Sequence, residues 1–139
     1  MTADELAAIH ARAMVVPPAW SAVTIEGFLD APGAILATTE AGFALGRVAA
    51  DEAELLTLAV SPDARRQGQA RRCLEELERM AREKGALRLF LEVAATNDPA
   101  RALYVGAGFG EAGVRKRYYR GTAGEAIDAI VMSKTLLPA

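Results

Sequence analysis

The sequence predicts an α/β fold, a mixed sheet with helices on both of its faces. Three observations carry that expectation. Two helical segments and three strand-like runs open the chain. Helices and strands then alternate, an order that needs crossover connections and therefore a mixed sheet. Hydrophobic residues make up 52% of the 139, enough apolar surface for a core. No repeat, linker or low-complexity stretch interrupts the pattern, so residues 1–139 read as a single domain.

The elements follow in order. In TADELAAIHARAM, Thr2 and Glu5 stand at capping-box spacing, and Leu6, Ile9 and Ala13 recur at helical intervals. VVPPAW ends that helix. SAVTIEGFL reads as a second short helix capped by Ser21, and Ala31-Pro32-Gly33 as a turn. AILATT and FALGRVAA are strands on either side of a hairpin-like turn, Glu40-Ala41-Gly42, and ELLTLAVS is a third strand stopped by Pro62. A long helix runs from about Gly68 to Lys84, with Gly85 as its stop. Its apolar side holds Ala70, Cys73, Leu74, Leu77, Met80 and Ala81. LRLFLEVA is a fourth strand, with Leu87, Leu89, Leu91 and Val93 on one face and Arg88, Phe90 and Glu92 on the other. NDPARALYVGAG is a short helix with Asp98 as N-cap, Pro99 in the first turn and Gly108 past the end. Two last strands, about Val114 to Tyr119 and Ala126 to Thr135, flank a turn at Gly121 to Gly124.

Charge and composition narrow the function. The net charge is −2, whereas a nucleic-acid binder shows a broad basic face. Cys73 is the only cysteine, so one chain builds neither a disulfide nor a cysteine-based zinc site. His10 is the only histidine and sits in a helix that reads as far from the other polar clusters. The start, MTADEL, is acidic where a signal peptide is basic. No apolar run approaches the roughly 20 residues of a membrane span. The expectation is a cytoplasmic protein with no metal, no nucleic-acid partner and no membrane partner.

One segment breaks the even distribution of charge. SPDARRQGQARR gathers Arg65, Arg66, Arg71 and Arg72 around Gly68, between a strand and the start of the long helix. The first N–H groups of a helix lack partners and its dipole is positive there, which suits an anionic phosphate. A glycine without Cβ lets a phosphate approach the backbone. Arg72 and Arg79 belong with Glu76 and Glu83 in an exposed ladder along the helix, while Arg65, Arg66 and Arg71 are placed to serve the anion. A Walker loop is absent, and Gly68 falls too far from Val60 for a dinucleotide fingerprint.

RRQGQA, from Arg65 to Ala70, resembles the acyl-CoA loop of the GNAT N-acetyltransferases, whose pattern is Gln/Arg-x-x-Gly-x-Gly/Ala between strand and helix. LEVAATNDPARALYVGAGF resembles the family's second motif, and VRKRYYRGTAGEAIDAIVMSKTL the end of its RimI-type members, which acetylate protein N-termini. The likeness runs from about Leu55 to Leu136. It implies the GNAT fold, a twisted mixed sheet of about six or seven strands with helices on both faces. It also implies acetyl-CoA as cosubstrate, held by Arg65, Arg66, Gln67, Gly68, Gln69, Ala70 and Arg71. A backbone donor is implied at Leu58, Ala59 and Val60, where two parallel strands splay, and cofactor binding at Asn97. Glu92 matches the general base and Tyr104 the general acid. Read without the resemblance, Glu92 is a carboxylate emerging at the sheet edge, Tyr104 a core aromatic and Asn97 a helix-entry residue. Tyr118 and Tyr119 wall an acceptor groove or lie on a solvated edge strand.

The implied reaction is direct attack of a protein's N-terminal α-amine on acetyl-CoA. The implied acceptor is the alanine-initiated terminus of a small-subunit ribosomal protein. The alternatives are a small-molecule amine N-acetyltransferase and a non-catalytic CoA-binding module. Three residues depart from the family pattern: Ala70 replaces the commoner glycine, Ala94 a frequent arginine and Arg120 a frequent proline.

Overall fold

The computed structural model describes residues 1–14, 18–65 and 67–136. Residues 15–17, in the expected break after the first helix, and Arg66, expected at the phosphate, lie outside the described residues. The order is α1 (Ala3–Ala13), α2 (Ala22–Asp30), β1 (Ala34–Thr38), β2 (Gly42–Ala49), β3 (Glu52–Val60), α3 (Gln69–Glu83), β4 (Arg88–Ala94), α4 (Asp98–Gly106), β5 (Gly110–Arg120) and β6 (Ala126–Thr135), with a single 3-10 turn at Pro62–Ala64 after β3. Six strands form one sheet in the order β1-β2-β3-β4-β6-β5. The β3–β4 pair is parallel and the others are antiparallel. Among the described residues no helix is long and apolar enough to cross a membrane.

Helices lie on both faces, each over its own core. Cys73, Leu74, Leu77 and Ala81 of α3, with Tyr104 and Ala107 at α4, pack on Ile35, Leu55, Leu89, Leu91 and Met132 of the sheet. On the other face Leu6 and Ile9 of α1 and Ile25 of α2 pack on Phe43, Leu45 and Ala59. Each fully buried Leu or Ile contributes about 1.5–3 kcal/mol, so both helix layers are anchored by burial rather than by propensity. The α1 and α2 pair covers only part of its face, and the surface over the start of β3, β4 and β5 stays open.

The helix ends follow side-chain chemistry. Thr2 and Glu5 form the capping box, and Ser21 caps α2. In α4 the cap is Asn97 and not Asp98: Asn97 Oδ1 accepts the Ala100 N–H at 3.2 Å, which puts Asp98 inside the first turn. β5 begins at Gly110, earlier than the sequence suggests, because Gly110 and Glu111 pair with Ser133 and Met132 despite their small or polar side chains.

Candidate active site

The site begins where β3 and β4 part. They pair only from Glu52↔Arg88 to Glu54↔Phe90. Beyond that point β3 stays with β2 as far as Val60↔Gly42, and β4 stays with β6 as far as Ala94↔Ala129. Two strand edges face each other without a ladder between them, and unpaired backbone groups of this kind call for other partners. The cause is local. Leu45 stands opposite Thr57 and Gly46 opposite Leu55, so Leu56 is a bulged residue without a partner. A bulge bends its strand and sharpens its twist, here two residues beyond the last β3–β4 pair. Gly46 permits the close approach across from the bulge, since a Cβ there would stand 2.8 Å from the Glu54 carbonyl oxygen.

A cleft of about 100 Å³ occupies the gap. Leu55 to Leu58 of β3 and Leu91 to Ala94 of β4 are its walls. Asn97, Ala100 and Tyr104 reach it from α4, Tyr119 from β5, and His10, Met14 and Trp20 from the α1 side. A wider, open groove of about 590 Å³ crosses the uncovered sheet face, lined by Arg47, Glu52, Glu54, Phe90, Glu92 and Arg115. Leu91 and Glu92 line both, so the narrow cleft and the open groove adjoin along this part of β4.

Glu92 lies on the polar side of β4, and its carboxylate pairs with Arg115 at 2.8 Å. Arg115 also lies over the Tyr118 ring, 5.3 Å from its centre. Tyr104 is 7% exposed and edge-on to Phe109. Burial, with a smaller push from Tyr119, drives its pKa well above the ordinary phenol range, so it keeps its proton. Tyr119 stands close enough to both groups to feel them. Burial first, then the charges of Glu92 and Tyr118, push its pKa up to about 12. The β5 backbone sets this placement: Lys116, Arg117 and Tyr118 stand opposite Asp128 alone. Arg117 takes φ 55°, and its N–H donates to Asp128 Oδ1 at 2.9 Å, which locks the bulge.

The other expected residues divide. Leu58 and Asn97 line the cleft, although Asn97 Oδ1 also serves as the α4 cap. Ala59 and Val60 do not line the cleft and are buried beside it. Gly68 is the N-cap of α3 at φ 75°, a conformation that favours glycine, and a Cβ there would meet nothing within 4 Å. Open space thus lies beside the backbone at the positive end of a helix. Gln67 and Ala70 flank this point. Gln69 turns its side chain inward, where Oε1 accepts from the Thr39 hydroxyl at 2.6 Å and the Ala41 N–H at 2.9 Å. Arg65 donates to the Ala13 carbonyl at 3.1 Å. Arg71 binds Glu75 at 3.2 Å and the Gly106 carbonyl at 3.1 Å, which ties the first turn of α3 to the last turn of α4. Arg79 pairs with Glu76 and Glu83 as expected, but among the described residues Arg72 forms no ion pair, and the other arginine of the ladder is Arg71, on Glu75. Cys73 is packing, its thiol pKa raised by burial.

Residues 12–109 match the model of the acetyltransferase (GNAT) family. The chain belongs to the GNAT family. Members of this family use acetyl-CoA. The chain is 46% identical over 93 residues to the [Ribosomal protein bS18]-alanine N-acetyltransferase of Escherichia coli (strain K12), covering 67% of this chain and 62% of that relative. It is 35% identical over 133 residues to N-alpha-acetyltransferase RimI of Mycobacterium tuberculosis, covering 89% and 82%. The crystal structure of the ribosomal-protein-S18-alanine N-acetyltransferase from Escherichia coli superposes with a TM-score of 0.87 at 36% identity, covering 99% of this chain and 89% of that one. The six-stranded mixed sheet flanked by helices is the GNAT fold.

The sequence reading missed one part of the site. His10 is not remote from the polar residues. It is fully buried, hydrogen-bonded to Thr57 and Trp20, and lines the cleft with Glu92 and Tyr104. Only the packing of α1 across β3 brings it there, and no local spacing signals a contact over 47 residues.

Proposed function

We propose that this GNAT chain transfers the acetyl group of acetyl-CoA to the N-terminal α-amine of a protein, an alanine-initiated ribosomal protein in the first instance. One observation carries the reading: Glu92 stands where a narrow cleft between splayed parallel strands meets an open groove. A thioester arm fits the first, and a chain terminus needs the second. The names of the relatives support the acceptor.

Bound acetyl-CoA supplies an acetyl thioester. The β3 edge from Leu58 to Val60 offers backbone groups to the arm, Asn97 stands at the cleft wall, and the α3 start with Gly68 offers N–H groups to phosphate. Arg65 and Arg71 lie close by and add positive charge. Glu92 takes the proton that the attacking amine loses. An α-amine with an ordinary pKa of about 7.7–8.0 is neutral in roughly a tenth of molecules at pH 7; that neutral form attacks, and the carboxylate removes its proton as the new bond forms. Tyr104, held protonated by burial, donates its O–H to the departing sulfur as the carbon–sulfur bond breaks. One proton leaves nitrogen and one reaches sulfur, so the exchange balances without a covalent enzyme intermediate. Arg115 fixes the direction of Glu92.

The test is incubation with acetyl-CoA and peptides of varied first residue, beside polyamines and aminoglycosides. Mass spectrometry is expected to place one acetyl group on the α-amine of the alanine-initiated peptide, with the small amines poor acceptors. Efficient acetylation of a small amine with every peptide terminus untouched overturns the reading.

A further inference from the structure

The proton positions around His10 follow from one backbone group. The Trp20 N–H donates to His10 Nδ1 at 2.9 Å, so Nδ1 carries no proton. The neutral ring then holds its proton on Nε2, which donates to Thr57 Oγ1 at 2.9 Å. Burial holds the ring pKa at about 4, so this neutral form persists at neutral pH. The ring is also clamped by Trp20, stacked with centres 5.1 Å apart. Thr57 oxygen is thereby an acceptor toward His10, and its own O–H must point elsewhere. Among the described residues its one side-chain partner is His10, and no group accepts that proton. Thr57 follows the bulged Leu56 on the stretch of edge that β4 has left, and it lines the cleft.

We infer that the Thr57 hydroxyl, oriented by His10, donates a hydrogen bond to the carbonyl oxygen of the acetyl thioester. The inference rests on the cleft being the acetyl-CoA site. As the amine adds to the carbonyl carbon, the carbonyl electron pair moves onto oxygen, and a donor already aimed at that oxygen stabilises the charge without reorganising. The proton stays on Thr57. His10 is a positioning residue: it occupies the other side of the hydroxyl and leaves the O–H one useful direction.

Three readouts test this. Nitrogen-15 NMR of the single histidine is expected to show a neutral ring protonated at Nε2 near pH 7; a ring protonated at Nδ1, or charged, overturns the proton assignment and the inference. Infrared difference spectra of bound acetyl-CoA, labelled with carbon-13 at the acetyl carbonyl, are expected to show the carbonyl band at higher frequency in Thr57→Val than in wild type, with Thr57→Ser like wild type. The kcat of Thr57→Val for peptide acetylation is expected to fall on the order of 10²-fold with KM for acetyl-CoA little changed, and Thr57→Ser to retain most activity. Thermal melting checks that both variants fold. Wild type that binds no acetyl-CoA defeats the reading of the cleft and this inference together. Wild type that binds it, with the same carbonyl band as Thr57→Val, defeats this inference alone.

Discussion

Gly68 bears most directly on cofactor binding at the scale of single residues. Its φ of 75° and the open space beside it leave room for an anion at the α3 start. Gly68→Asp puts a carboxylate where phosphate is expected, and calorimetry should show acetyl-CoA binding lost while the circular dichroism spectrum persists. Unchanged affinity would move the phosphate elsewhere. Tyr104→Phe removes only a hydroxyl from a packed ring, so melting temperature should hold while transfer slows; a full rate under conditions where chemistry limits would strip Tyr104 of its role. Gly68 stood out by residue type, a glycine among arginines, whereas Glu92 and Tyr104 were singled out only by the resemblance: read alone, the first is a carboxylate at a sheet edge and the second a core aromatic. The arginines were less legible. Nothing in the order of residues says that Arg65 reaches the Ala13 carbonyl or that Gln69 folds inward onto Thr39 and Ala41.

At the scale of elements, the bulge at Leu56 does the shaping. Gly46→Ala would drive a Cβ to 2.8 Å from the Glu54 carbonyl oxygen and to 3.3 Å from both Ile35 and Leu77. The backbone must shift at the bulge, so urea unfolding should show a loss of roughly 1–3 kcal/mol, the usual penalty of overpacking. Acetyl-CoA affinity should fall with it, because the same shift narrows or skews the gap between β3 and β4. Wild-type stability in this variant would show that the bulge tolerates the extra atom. Period-two alternation made the faces of β4 readable from sequence, Glu92 included. It hid the bulge, because Leu55, Leu56, Leu58, Ala59 and Val60 put apolar residues on both faces of the strand, and one extra residue leaves no mark in such a run. Helix ends were readable to within one residue: Asn97 and Asp98 both suit a cap, and only the bond from the Ala100 N–H decides between them.

For the whole molecule, His10 links the helix layer to the cleft. It joins α1, the residues before α2 and β3, and its burial lowers its pKa from 6.5 to about 4. The folded state therefore binds fewer protons than the unfolded state between those values. The contribution of His10 to stability is fully present above about pH 6.5 and lost as pH falls toward about 4, a change on the order of 3 kcal/mol. The ionisable groups sharing its cleft are Glu92, Tyr104 and Tyr119. Urea midpoints across this window should fall more in wild type than in His10→Gln, and parallel curves would contradict the assignment.

The fold class was legible because element order and two apolar layers dictate it. The meeting of α1 with β3 was not, because it depends on packing between segments distant in sequence. The proposed mechanism turns on Glu92, at the mouth of the cleft, taking the proton of the attacking amine. Its most direct test is the single-turnover rate of acetyl transfer to an alanine-initiated peptide at saturating acetyl-CoA, for wild type and Glu92→Gln. The expected result is a fall of about 10² to 10⁴ with acetyl-CoA affinity little altered, and an undiminished rate in the variant removes Glu92 from the proton transfer.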